Sequence, residues 1–203
     1  MNYFVTAIDT DSGKTFVSAI VCEALQADYW KPVQAGNPRD TDRVKELISN
    51  TTSRIHPETY LLQTPASPHA AAKIDKLEIS LQTFQIPRTN HDLIIEGAGG
   101  CLVPLNNNEF VVDLISIFHA EVILVADLYL GSINHTLLTI EALQRRNLSV
   151  KGIIFNGNSN IESENIILRH SKLKCLLRIP REEWIDKSTV KKYASQLKEN
   201  WNE

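Results

Sequence analysis

An apolar stretch, Tyr3-Phe4-Val5, runs into Thr6-Ala7-Ile8-Asp9-Thr10-Asp11-Ser12-Gly13-Lys14-Thr15 and then into a helical pattern of Phe16, Val17, Ile20, Val21 and Leu25. A strand, a tight loop and a helix opening on Gly-Lys-Thr form the setting in which a phosphate-binding loop works. Backbone N–H groups and the helix N-terminus hold the phosphates, Lys14 reaches the terminal ones, and the Thr15 hydroxyl meets Mg²⁺. The spacing is irregular. The common motif places a glycine five residues before Gly13, where this chain has Ile8, and Ala7 is the next position back. The loop by itself is either a longer variant or a chance match.

The rest of the chain alternates between apolar runs and helical patterns. Strands are expected at Tyr3–Thr6, Asp28–Lys31, Asp92–Glu96, Glu121–Ala126, Val150–Asn156 and Cys175–Ile179. Helices are expected at Lys14–Gln26, Thr41–Ile48, Ser67–Lys73, Leu81–Ile86, Val111–His119, Ile133–Arg146, Glu162–His170 and Ser188–Asn200. Runs such as Val122-Ile123-Leu124-Val125 are continuously apolar, as a strand covered on both faces requires. The pattern predicts an α/β fold, a doubly wound, mostly parallel sheet flanked by helices, in one domain spanning residues 1–203. Of eight glycines, all but Gly152 fall just after an expected strand or at the opening of the next helix. That edge of an open α/β sheet is where ligands bind.

A net charge of -3 gives no support to nucleic-acid binding. The lysines of the C-terminal segment read as a solvated helix face. Cys22, Cys101 and Cys175 lie far apart in apolar runs with no C-x-x-C pair, as expected of buried thiols in a reducing compartment. A strand begins within three residues of Met1, which leaves no room for a signal peptide, and no apolar run approaches the ~20 residues that span a bilayer. The expectation is a cytoplasmic protein with no membrane partner.

Several further segments bear on chemistry. Lys31, before Pro32 and Gly36, is either a surface lysine or a second cation for the crevice of Lys14. Asp42, in Asp40-Thr41-Asp42, is a first-turn residue of a helix or a metal ligand. Glu96 ends an apolar strand and is followed by Gly97, Gly99 and Gly100. That is how a phosphate-loop enzyme presents a second Mg²⁺ residue, since Mg²⁺ takes hard oxygens and keeps several waters. Ser67 caps a short helix with Pro68 at its first position, and Ser132 opens another whose free N–H groups suit an anion. His69, His135 and Cys101 have no spacing that suggests catalysis or metal binding.

Taken in order, these segments resemble the dethiobiotin synthetase family of the phosphate-loop NTPase superfamily. The family's G-T-D-T-x-V-G-K-T stands here as Ala7–Thr15, and its K-P-V-x-[ST]-G as Lys31–Gly36. Its P-x-S-P-H stands as Pro65–His69, its E-G-A-G-G as Glu96–Gly100 and its L-G-x-I-N-H as Leu130–His135. The resemblance implies closure of the ureido ring of dethiobiotin from 7,8-diaminononanoate, CO₂ and ATP with Mg²⁺, by way of a carbamate and a carbamic–phosphoric anhydride. It also implies roles. Lys14, Lys31 and Thr10 would act on the phosphates and carbamate. Asp11, Ser12, Gly13, Lys14, Thr15, Glu96, Gly97, Gly99 and Gly100 would bind nucleotide, with Asn156 reading adenine and Pro180 lining its pocket. Thr15, Asp42 and Glu96 would hold Mg²⁺. Thr10, Lys31, Ala35 and Ser67 would contact the diamine, while Ser132, Ile133 and Asn134 would bind its carboxylate across a homodimer interface.

Four positions depart from the family pattern: Ala7 for glycine, Ile8 for threonine, Ser12 for valine and Ala35 for Ser or Thr. The methyl at Ala7 requires negative φ or room beside the substrate. The missing hydroxyl at Ala35 removes a hydrogen bond near the amines, a loss of ~1 kcal/mol. Three rivals remain: a cobyrinate-type amidating ligase, which would need a further glutamine-hydrolysing domain; a partitioning-type ATPase, which would carry another lysine early in its loop; and a homologue that binds nucleotide without turnover.

Overall fold

The computed structural model of the chain describes residues 1–201. All six expected strands form, as β1 (Asn2–Ala7), β2 (Asp28–Trp30), β6 (Leu93–Gly100), β7 (Glu121–Asp127), β8 (Val150–Asn156) and β9 (Cys175–Ile179). Short strands add to them: β3 (Val33–Ala35), β4 (Ile55–His56) and β5 (Tyr60–Leu62). Strands this brief carry too few residues for a period to register. Seven strands make one parallel sheet in the order β4-β2-β6-β1-β7-β8-β9, and β3 pairs with β5 separately.

Helices cover both faces, which explains the unbroken apolar strands. Val5, Ile94, Ile123, Val125 and Ile154 pack toward α1 (Lys14–Leu25), α2 (Asp40–Leu47) and α7 (Lys187–Trp201). On the other face, Phe4, Leu93, Ile95 and Val122 meet α3 (Pro68–Ile74) and α4 (Val111–Ile117). Beside them, Leu124, Ala126, Ile153 and Phe155 meet α5 (Ser132–Gln144) and α6 (Ile161–Ser171). Among the described residues no helix is long and apolar enough to cross a membrane.

The expected helix at Leu81–Ile86 is reduced to a single 3₁₀ turn, Leu81–Thr83. Pro87 disfavours helical backbone at Ile86, and the chain is already extended at Phe84, whose ring packs edge-on against Tyr60 and Phe118. The crossing that matters for function is at β1. The chain first steps outward to β2, leaving a space that β6 later fills, and then steps the other way through β7, β8 and β9. The carboxyl ends of β1, β6 and β7 therefore frame a crevice.

At the opposite edge a buried carboxylate ties β2 to its neighbours. Asp28 accepts the Arg54 N–H at 2.8 Å, His91 Nδ1 at 3.1 Å and His56 Nε2 at 3.0 Å. Burial alone raises its pKa, but the donors from Arg54, His91, Thr89 and His56 outweigh burial and hold it at about 2. A folded value below the free one gives stability that is present above the free value, 3.8, and is lost as pH falls toward 2. Asp28→Asn is expected to cost about 2 kcal/mol at pH 7. Denaturant melts of both proteins should show that difference shrinking between pH 4 and pH 2, on the order of the two pKa values.

Candidate active site

The loop after β1 is built by a few backbone conformations. Asp11 and Gly13 adopt left-handed geometry, with φ of 50° and 92°. A side chain at Gly13 would also collide with the amide of Asn156, which donates to the Ser12 carbonyl at 2.9 Å. Ala7 is the last residue of β1, fully buried and outside the left-handed region, so the strand accepts its methyl without strain. The loop is stapled internally by Thr10 N–H to Asp9 Oδ1 at 2.7 Å and Ser12 Oγ to Asp9 O at 3.1 Å. No side chain caps α1, whose first-turn N–H groups open at Gly13.

Parallel register delivers the remaining groups to the same place. Tyr29 lies opposite Ile94, two residues before Glu96, so Tyr29, Ile94 and Glu96 share the face that α1 covers. The Glu96 carboxylate is almost wholly buried. Its Oε1 accepts from Thr15 Oγ1 at 2.9 Å and Lys31 Nζ at 3.0 Å, and its Oε2 accepts from Tyr29 at 2.9 Å. Lys31 Nζ also pairs with Asp40 Oδ2 at 2.7 Å and donates to Gly97 O at 3.2 Å. Burial pulls the Lys31 pKa down, but Glu96 and Asp40 more than offset it and leave it above the ordinary value. Tyr29 is pushed well above its ordinary value by burial and by Glu96. Lys14, whose Nζ donates to Asp9 O at 3.0 Å, has no such pair among the described residues. Burial brings it down to about 8, aided by Lys31 and opposed by Glu96, Asp40 and Asp11.

Asp42 is not brought to this cluster. Its carboxylate takes two 2.8 Å bonds from Arg39 and is 53% exposed, whereas Asp40 faces the cleft. The cause is helical phase: Asp40 lies on the stripe of Val44 and Leu47, four and seven residues on, and Asp42 points to the opposite side.

These groups line a cleft of about 730 Å³ that includes Thr10, Asp11, Gly13, Lys14, Thr15 and Glu96. Lys31, Ala35, Ser67 and Gly99 line the same cleft. Ser67 occupies the N-cap position of α3 without capping it, because its hydroxyl bonds His69 Nδ1 at 3.1 Å. Ser12 and Gly97 are buried and do not line this cleft, and Gly100 lines a smaller pocket with Ile8 and Asp9; a side chain at Gly97 would press on the Phe4 ring at 2.9 Å. Asn156 and Pro180 lie beyond the loop, at the adjacent ends of β8 and β9. Ser132, Ile133 and Asn134 are not part of the cleft. Ser132 opens α5 after Gly131, at φ 104°, and its buried hydroxyl has no partner among the described residues.

The AAA domain family matches residues 1–189. The chain is 59% identical to the ATP-dependent dethiobiotin synthetase BioD of Cytophaga hutchinsonii, an alignment covering 99% of this chain and 98% of that protein. It is 49% identical to the enzyme of the same name from Christiangramia forsetii, covering 97% and 96%. The chain belongs to the dethiobiotin synthetase family. Its architecture extends further, to a plasmid partition protein of Borrelia burgdorferi bound to AMPPNP, with TM-score 0.59 and 13% identity over 98% of this chain and 97% of the other. The septum site-determining protein MinD of Pyrococcus horikoshii, complexed with Mg-ADP, aligns with TM-score 0.55 and 15% identity over 99% and 93%. At those identities the likeness is one of fold.

Within this dethiobiotin synthetase fold, sequence reasoning missed Asp40, Tyr29 and the wall formed by Arg43 and Ile185. The Arg43 guanidinium donates to the Ile185 carbonyl at 2.8 Å, across 142 residues of chain. Asp40 was legible from helical phase; Arg43–Ile185 had no sequence signal. Lys14 gives a testable consequence of carrying a cation into a buried loop. Its folded pKa, about 8, lies below the free value of 10.5, so the penalty is complete below pH 8 and vanishes as pH rises through 10.5. Lys14→Met is expected to stabilise the nucleotide-free protein at pH 7 by on the order of 2 kcal/mol, after the lost bond to Asp9 O is discounted. Chemical denaturation at pH 7 and pH 10 should show a smaller gain at the higher pH.

Proposed function

We propose that this protein makes dethiobiotin from 7,8-diaminononanoate, CO₂ and ATP, releasing ADP and phosphate. The observation that carries the reading is the pair of buried lysines, Lys14 and Lys31, on one cleft with the Thr15–Glu96 pair, beside a helix start that no side chain caps. Transfer of a phosphoryl group rests on positioning and charge stabilisation rather than on a protein nucleophile, and this cleft supplies both. A carbamate formed on one substrate amine attacks the γ-phosphorus and ADP leaves. The second amine then attacks the carbamoyl carbon, phosphate departs and the ring closes.

Lys14 neutralises charge on the terminal phosphates, and Lys31, held by Glu96 and Asp40, faces both the phosphate and the carbamate. Thr10, Ala35 and Ser67 border the diamine. Asn156 reads adenine beside Pro180. Dethiobiotin synthesis on this scheme needs Mg²⁺, and the donor set fits it. Thr15, Glu96 and Asp40 offer hard oxygens, while among the described residues no three His, Cys, Asp or Glu side chains could form a metal site unaided. Such a set suits an ion that keeps waters and phosphate oxygens as ligands. When bound, Mg²⁺ offsets the phosphate charge.

The active unit is a homodimer in the cytoplasm. The distal carboxylate of the diamine sits on the helix start of Ser132, Ile133 and Asn134 from one protomer while the other holds its amines. The Ser132 hydroxyl, without a partner among the described residues, and the exposed Leu130 and Leu138 support that interface. Nucleic acid and membranes are not partners.

Incubation with the diamine, bicarbonate, ATP and Mg²⁺ is expected to yield dethiobiotin and ADP in equal amounts, scored by mass spectrometry. No dethiobiotin at saturating substrate would overturn the reading. Lys14→Ala should lower kcat by at least ~10²-fold. The two aspartates of α2 provide a separate test. Asp40→Asn is expected to lower kcat/KM by about tenfold or more and raise the Mg²⁺ requirement, whereas Asp42→Asn stays within about twofold. Magnesium titrations of initial rate distinguish them.

A further inference from the structure

Glu96 is the best-placed carboxylate for a cation, yet its two oxygens have different surroundings. Oε1 faces Thr15 and Lys31, both on the wall of the cleft. Oε2 is turned into the protein, where its donor is the phenol of Tyr29 at 2.9 Å. Tyr29 is fully buried and sits among Val5, Ala19, Ile94 and Val44 in the core under α1. Its ring is fixed by that packing, and Glu96 is the one partner its hydroxyl has among the described residues.

We infer that Tyr29 is a positioning residue that confines Glu96 to binding a cation through Oε1 alone, and that it thereby favours Mg²⁺ over Ca²⁺. The inference rests on the reading of Glu96 as a metal-facing residue. Mg²⁺ requires near-octahedral geometry with short bonds and takes one oxygen from a carboxylate, whereas the larger Ca²⁺ readily takes both. A carboxylate free to rotate offers both oxygens; one whose inner oxygen is held by a buried phenol offers one. Partners that orient a ligand in this way typically change metal affinity by 10–100-fold when removed. Thr15 and Lys31 do not provide this restraint, since both approach the oxygen that the cation would use.

The test is the affinity of the complex with a non-hydrolysable ATP analogue for Mg²⁺ and for Ca²⁺, by calorimetry and by competition with Mn²⁺ observed by electron paramagnetic resonance. Tyr29→Phe keeps the ring and deletes the donor. It is expected to weaken Mg²⁺ about tenfold while changing Ca²⁺ less than about threefold. Equal losses for both ions, or no loss of Mg²⁺ alongside a lowered melting temperature, would show that Tyr29 only supports the core. Glu96→Gln separates the underlying reading: if it leaves Mg²⁺ affinity unchanged, Glu96 is not a ligand and the site assignment fails. If it abolishes Mg²⁺ binding while Tyr29→Phe has no effect, only the inference about Tyr29 fails. Should Tyr29→Phe not fold, difference infrared spectra of the unaltered protein, assigned by comparison with Glu96→Gln, decide the matter. The wide carboxylate band separation of one-oxygen binding is expected with Mg²⁺, and the narrow separation of two-oxygen binding would overturn the inference.

Discussion

A buried carboxylate midway along β6, where the strand continues past the expected end at Glu96 to Gly100, organises the cleft. Removing Glu96 from water is tolerable only because Thr15, Lys31 and Tyr29 supply donors to its two oxygens. Those three residues come from α1, the end of β2 and β2 itself, and Lys31 passes the connection on to Asp40 at the head of α2. One charge therefore fixes the relative placement of two strands and two helices. The phosphate loop lies directly against this assembly, since Thr15 belongs both to the helix start and to the carboxylate's partners.

The two lysines of the cleft are held by different means. Lys31 is compensated by two carboxylates and stays protonated with ease. Lys14 leans on one backbone carbonyl, and burial depresses its pKa to about 8. An under-compensated cation beside open N–H groups is a site organised for an anion that is not part of the protein. Stability is given up locally, and the long apolar strands with helices on both faces more than offset it. The arrangement joins core packing to function: the same sheet that buries Val5 and Ile94 also carries Glu96 to the crevice edge.

Helical and strand periods made most of the architecture readable in the chain. Each long strand was legible because its apolar run is unbroken, and the helices because their stripes repeat at 3.6 residues. The segment at Leu81–Ile86 misled because Leu81 and Phe84 have helical spacing, although both side chains serve a loop that plugs the core. Strands β3, β4 and β5 left no signal because two or three residues define no period. In the site, Lys14 and Thr15 were legible as motif residues at a helix start, Lys31 just after a strand, and Glu96 ahead of its run of glycines. Asp42 was chosen over Asp40 because both open the same helix; the phase set by Val44 and Leu47 puts Asp40 inward.

Local periods and ordered motifs encode the alternating α/β architecture, the phosphate-loop motif before α1 and membership in a ligase family. Tertiary structure alone decided which groups meet. Tyr29 reaches Glu96 because parallel pairing of β2 with β6 sets Tyr29 beside Ile94, a register that no local pattern encodes. Arg43 reaches Ile185 because α2 and the segment before α7 converge on one wall of the cleft. Contacts across 67 and 142 residues depend on how strands are ordered in the sheet, and that order follows from burying all the apolar faces at once.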